Sequence, residues 1–236
     1  KLAALGARLR KADGSSVESG GAALATLAAV DLRELDPRLR DIAFEIAADV
    51  DAPLVGSRGA SAVFGPQKGA SARDVARLDD ALRRFADVTA AAFGTDVRSE
   101  PGTGAAGGLA FALRAYLGAR ARPGVEVVAE LRGLAQTLRG ARWCFTGEGA
   151  IDGQTLAGKT VAGVGAIARA AGVPTIAFTG RLDAGAERAL ADRGVVAVPI
   201  ADAPLASAAA LARASELLER AAARSCRLLE SSARLP

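Results

Sequence analysis

The sequence predicts an α/β protein, and three observations carry that expectation. After Gly140, short apolar strands alternate with helices; two of those helices close at glycines, Gly172 and Gly194; and half of the 236 residues are hydrophobic while 24% are charged. Strands separated by helices at this spacing imply βαβ units and hence a parallel sheet. Residues 140–236 therefore read as half of a doubly wound domain.

In chain order, residues 7–12 alternate small or apolar with basic side chains and run into Asp13-Gly14, a strand-and-turn signal. The stretch after Ser19-Gly20-Gly21 suits a short buried helix or mixed segment. Residues 42–50 have strand composition and lead into a loop from Asp51 to Pro53. From Ser71 to Phe93 the register Val75, Leu78, Leu82, Phe85, Val88 and Ala92 fits a long amphipathic helix with Ser71 as N-cap. A second helix, with glycines inside it, is expected from Gly104 to Leu117, and a third from Val125 to Leu138. Beyond them come a strand at 143–147, a helix at 160–171, a strand at 173–180, a helix at 184–194, a strand at 195–200 and a final amphipathic helix over 205–230. A domain boundary is expected near 125–140 from this change of texture.

Composition removes several function classes. There is no His, so the chain itself holds no Ser-His-Asp or Cys-His arrangement and no imidazole base or ligand. Chemistry must rest on carboxylates, Lys and Arg, hydroxyls and backbone amides. Cys144 and Cys226 lie far apart without metal-ligand spacing and read as reduced cysteines of a cytoplasmic protein. The net charge of +4 is dispersed, with no basic stripe or aromatic platform for nucleic acid. No apolar run approaches a membrane span. The chain contains no Met and begins at Lys1, so a piece of a longer protein or a processed chain is expected.

Three constellations can carry chemistry. In the first, Asp49 and Asp51 stand two apart at a strand end, side chains to one side, a geometry that can hold Mg²⁺ or a substrate hydroxyl; loop and cap chemistry is the plainer reading. Gly56, Arg58, Gly59 and then Gly65-Pro66-Gln67-Lys68-Gly69 follow. Lysines are rare here (Lys1, Lys11, Lys68 and Lys159, against 30 basic residues), so a Lys beside a glycine points to a compact charge aimed at phosphate or carboxylate. In the second, Gly102 to Gly108 opens a helix with small residues, exposing amides to an anion or allowing tight packing. Its literal GxGxxG lacks a preceding strand, which argues against a Rossmann site.

The third constellation runs from Thr146 to Thr160 at the carboxyl end of a predicted parallel strand, where open α/β sheets place ligands. Glu148 and Asp152 are its acids, while Lys159 and Thr160 begin the next helix. Gly153 to Thr160 matches GxxxxGK[ST], the phosphate loop of P-loop NTPases. Two features count against that reading: six residues separate Thr146 from Gly153, and no strand ending in an acid follows. A phosphate-handling loop of another kind is favoured.

These residues also carry a resemblance. DVDAPLVGSRGASAVFGPQKGAS (49–71), PGTGAAGGLAFALRAYLGARARPGVEVV (101–128) and TGEGAIDGQTLAGKTVAGVGAIARAAGVPTIAFTG (146–180) closely resemble the bacterial glycerate kinases of glyoxylate and glucarate catabolism, in order from about residue 2 to 230. The resemblance implies transfer of the γ-phosphoryl group of ATP to a hydroxyl of D-glycerate, usually giving 2-phosphoglycerate, with Mg²⁺. It implies two α/β domains: residues 1–128 as part of one, and residues 129–236 as the C-terminal half of a flavodoxin-like one, with a homodimer allowed. Asp49 or Asp152 would be the general base and Glu148 the Mg²⁺ ligand. Lys68 and Lys159 would hold phosphate or the glycerate carboxylate, with Asp51, Arg58, Gly104, Gly107, Gly108 and Thr160 completing substrate and phosphate binding. Two departures stand out: Ala150 replaces a larger, often basic residue, and the long N-terminal segment of the family has no counterpart. The competing readings are a P-loop NTPase built on Gly153–Thr160 and a non-catalytic fragment.

Overall fold

The computed structural model describes residues 2–153, 155 and 160–232. The chain forms two compact units, residues 1–122 and 123–236.

In the first unit, β1 (Arg8–Arg10) pairs antiparallel with β2 (Ala29–Asp31), Leu9 opposite Val30. The Asp13-Gly14 turn forms as read: Gly14 has φ 83°, and the Asp13 carboxylate accepts from the Ser15 amide. It closes only an isolated bridge between Arg10 and Ser16. The strand expected over 42–50 contracts to β3 (Glu45–Ala47), because its partner β4 (Arg120–Arg122) offers a parallel ladder of only that length.

Helices α1 (Ala60–Phe64), α2 (Ala72–Phe93) and α3 (Ala105–Leu117) complete the unit. Ser71 caps α2 as expected. Its hydroxyl accepts from the Asp74 amide while the Asp74 carboxylate accepts from the Ser71 amide, satisfying two N-terminal donors reciprocally. Gly94, at φ 69°, ends the helix. The apolar stripe of α2 buries Leu82, Phe85, Ala86 and Val88 against Leu27, Leu54, Phe111 and Tyr116. Phe85 meets Phe111 edge-on at 5.3 Å and stacks on Tyr116 at 5.9 Å. The Tyr116 hydroxyl lies 2.7 Å from Thr89 Oγ1, so this buried polar pair is satisfied.

In the second unit, the helix expected over 125–138 is interrupted. Gly133, at φ 65°, separates α4 (Gly124–Leu131) from α5 (Leu134–Thr137). A three-stranded parallel sheet follows, ordered β5 (Cys144–Ile151), β6 (Thr175–Leu182), β7 (Val195–Pro199). Its crossovers are α6 (Thr160–Ala170) and α7 (Ala184–Ala191). Val161, Ala186 and Leu190 from these helices pack with Ala177 and Val195 on one face of the sheet. The expected final helix divides at Arg213 into α8 (Ser207–Ala212) and α9 (Ala214–Ser232). Ala221 of α9 covers the other face, against Ile176 and Phe178. Helices on both faces of sequentially adjacent parallel strands form one half of a doubly wound sheet.

β5 runs longer than the sequence predicts, to Ile151 instead of residue 147, and β6 keeps the predicted eight residues but begins and ends two residues later. Gly147, Glu148, Gly149 and Gly180 have low strand propensity, yet the ladder continues through Glu148 opposite Thr179, Ala150 opposite Arg181 and Ile151 opposite Leu182. The glycine also has a positive role. A Cβ on Gly147 would stand 2.8 Å from the Phe178 carbonyl oxygen. Among the described residues, no helix is long and apolar enough to cross a membrane.

Candidate active site

The second unit gathers its acids where the parallel strands end. Glu148 and Ala150 of β5 lie opposite Thr179 and Arg181 of β6, so the four side chains share one face of the sheet. Thr155 is fully buried; its hydroxyl accepts from the Asp152 amide at 3.2 Å and donates to Glu148 Oε2 at 3.3 Å. The Thr155 amide in turn bonds the Asp152 carbonyl at 3.0 Å. The Arg181 guanidinium stands 3.5 Å from the Asp152 carboxylate. Thr160 opens α6 and is exposed. Lys159 lies outside the described residues.

Glu148, Asp152 and the Thr155 hydroxyl form a set of hard oxygen donors. Among the described residues, no cluster of three or more His, Cys, Asp or Glu side chains forms a metal site. Mg²⁺ typically takes one or two carboxylates and completes its shell with water and substrate phosphates. The oxygen chemistry of Glu148 and Asp152 is of the kind such an ion takes. Cys144, at the other end of β5, has no place in this chemistry. It is buried, and burial pushes its thiol up.

In the first unit, backbone contacts bring the first two constellations together. Asp49 and Asp51 are exposed on a loop whose next residues meet the glycine-rich turn: the Gly104 amide donates to the Ala52 carbonyl at 2.9 Å, and the Leu54 amide to the Arg98 carbonyl at 2.9 Å. A Cβ on Gly104 would fall 2.3 Å from the Pro53 carbonyl oxygen. Gly108 has φ 91° and leaves space for Leu54, whose Cδ1 would be 2.8 Å from an added Cβ. Ala106, Gly107 and Gly108 all adopt left-handed conformations, so α3 becomes regular only beyond them. Gly104 and Gly108 are buried and Gly107 exposed.

Arg58 is exposed in the turn before α1, and Lys68 is exposed at the end of a single 3₁₀ turn over Pro66–Lys68. The Asp79 carboxylate of α2 accepts from the Gly56 amide at 2.8 Å and so holds the loop that carries Arg58. Thr155, Arg181 and Asp79 were not singled out in the sequence. Thr155 sits inside the phosphate-loop pattern as one of its variable positions, and Arg181 lies beyond the point where an apolar reading stops the strand.

The strand before Gly153 ends closer to the P-loop pattern than the sequence predicts. Because β5 continues to Ile151, only Asp152 separates the strand from Gly153, and an acid, Asp183, directly follows β6. The Asp183 carboxylate is occupied as the N-cap of α7, accepting from the Gly185 and Ala186 amides. Of the eight-residue pattern, Gln154 and residues 156–159 lie outside the described residues.

Fold and site together define a two-unit α/β protein with acids, a hydroxyl and a cation at the carboxyl edge of a parallel sheet, the edge where open α/β sheets place ligands. The sequence model of the Glycerate kinase family matches residues 1–230. The chain is 41% identical over 220 residues to a glycerate kinase of Halalkalibacterium halodurans, covering 93% of this chain and 58% of that one. It is 44% identical over 179 residues to the glycerate 2-kinase of Escherichia coli, covering 76% of this chain and 47% of that one. A Salmonella typhimurium LT2 crystal structure assigned as glycerate kinase 2 superposes with a TM-score of 0.76 at 40% identity, covering 99% of this chain and 61% of that one. The chain belongs to the glycerate kinase family. It spans roughly half to three-fifths of the length of these relatives.

Proposed function

We propose that the complete gene product containing this chain is a glycerate kinase that transfers the γ-phosphoryl group of ATP to a hydroxyl of D-glycerate, giving 2-phosphoglycerate and ADP. The family match over residues 1–230 carries the reading, and the acidic strand end supports it. The attacking hydroxyl oxygen bonds to the γ-phosphorus as the bond to the bridging oxygen breaks, and a carboxylate takes the hydroxyl proton. Asp152, beside Glu148 and Arg181, and Asp49, in the first unit, are the two assignments for that base. Glu148 would hold Mg²⁺, which when bound neutralises charge on the transferring phosphates. Lys68, Lys159, Arg58, Thr160, Asp51 and the amides near Gly104, Gly107 and Gly108 would bind phosphate or the glycerate carboxylate. The same reading assigns residues 1–128 and 129–236 to the family's two domains, places the protein in the cytoplasm, and allows a homodimer.

Steady-state assays with ATP, Mg²⁺ and D-glycerate test this on the complete gene product. Asp152→Asn is expected to abolish turnover; retained turnover rejects Asp152 as base and directs the same test to Asp49→Asn. A second reading, a P-loop NTPase, is favoured by the position of Gly153 one residue beyond the strand end. It predicts nucleotide hydrolysis without glycerate, which the same assay measures by omitting that substrate. A non-catalytic member of the family would show no ATP binding by calorimetry.

A further inference from the structure

Arg181 is the only Lys or Arg in the three strands of the second unit's sheet. It stands near the carboxyl end of β6, on the edge where open α/β sheets bind ligands. Directly opposite is Ala150, whose methyl group is the smallest side chain that still has a Cβ, so β5 brings nothing bulky to compete for that space. The Arg181 side chain is 74% exposed, and its contact with Asp152, at 3.5 Å, is longer than an ordinary charge-assisted hydrogen bond. Such an exposed, loose pair adds little to stability. Stability therefore gives no reason for a cation at this place. The neighbouring Glu148–Thr155–Asp152 chain shows that the strand end is an organised polar site.

We propose that Arg181 binds an anionic oxygen group of the substrate, carboxylate or phosphate, exchanging its loose contact with Asp152 for a bidentate one. Its planar fork matches both groups, which share two oxygens at the right separation. The inference rests on the proposed function for which anion is bound, and not for the binding itself. Asp152 is then the resting partner of the guanidinium.

The test is calorimetric titration of the complete gene product with D-glycerate, with ATP and with inorganic phosphate, using the parent, Arg181→Gln, Arg181→Lys and the double variant Ala150→Arg/Arg181→Gln. Arg181→Gln is expected to weaken D-glycerate or ATP by about tenfold or more with an unchanged melting temperature, and Arg181→Lys by less, since the charge stays while the fork is lost. Loss confined to D-glycerate identifies the carboxylate; loss confined to ATP identifies the phosphate. Moving the guanidinium across the strand pair in the double variant is expected to restore affinity to within about threefold of the parent, because residues 150 and 181 share one face. Affinities within about twofold of the parent for every ligand overturn the inference, as does a loss for both substrates that the double variant does not rescue, or a parent that binds none of the three. Turnover reports separately on the kinase reading. A parent that phosphorylates no glycerate, yet loses phosphate affinity on Arg181→Gln, removes that reading and keeps the role of Arg181.

Discussion

Around Gly104 the first unit presses backbone against backbone, with carbonyls of residues 52 and 53 where a side chain would otherwise begin, whereas around Glu148 the second unit joins its groups through a hydroxyl and a guanidinium. The first arrangement is intolerant of a single added carbon and leaves Asp49 and Asp51 exposed on the loop it holds. The geometry of the second depends on particular polar atoms. Within one protein, a glycine holds one set of acids in place and a threonine the other.

The largest effect should come from breaking the first arrangement. Gly104→Ala puts a Cβ 2.3 Å from the Pro53 carbonyl oxygen, and a destabilisation of about 2–4 kcal/mol is expected in urea unfolding followed by the single tyrosine, Tyr116. Thr155→Val attacks the second arrangement. It removes a buried hydroxyl that serves Glu148 and the Asp152 amide, for about 1–3 kcal/mol in unfolding followed by the single tryptophan, Trp143. Thr155→Ser should recover most of that loss, since the oxygen is kept.

A third prediction concerns pH. Burial pushes the Tyr116 hydroxyl up to about 12, with the Thr89 hydrogen bond acting in the opposite direction. Below about pH 10 both folded and unfolded states keep the proton; between about 10 and 12 the unfolded tyrosine releases it while the folded one does not, so stability falls as pH rises, by roughly 1 kcal/mol per pH unit. The difference in urea midpoint between parent and Tyr116→Phe across that range measures it, and a flat difference would contradict the burial argument. The smallest effect is expected at the exposed groups. Asp51→Asn and Lys68→Met should each shift stability by less than about 0.5 kcal/mol while lowering kcat/KM of the complete gene product, a separation that distinguishes binding residues from supports.

Much of this was legible in the sequence where the chemistry is local. The N-cap at Ser71 and the α/β alternation after Gly140 formed as read, because a cap acts within one turn of chain. Glu148 and Asp152 were found by their position after a strand. The continuation of β5 through Gly147, Glu148 and Gly149 could not be read, because that stretch has the composition of a loop and becomes a strand only through its ladder to β6. Gly104 was legible as a special glycine, but not as the residue on which the loop of Asp49 and Asp51 is seated.

The sequence by itself determined the class of fold, the helix limits set by caps and glycines, and the chemical vocabulary available: carboxylates, hydroxyls and a few cations, with no imidazole. Tertiary structure alone decided how far each strand runs, where the helix over 125–138 breaks into two, and which side chains meet. Strand length depends on the partner strand's hydrogen bonds, which lie some thirty residues away along the chain. The meeting of Glu148, Thr155, Asp152 and Arg181 follows from that register, since the continuation of β5 to Ile151 and of β6 to Leu182 is what sets Arg181 across from Ala150 and beside Asp152.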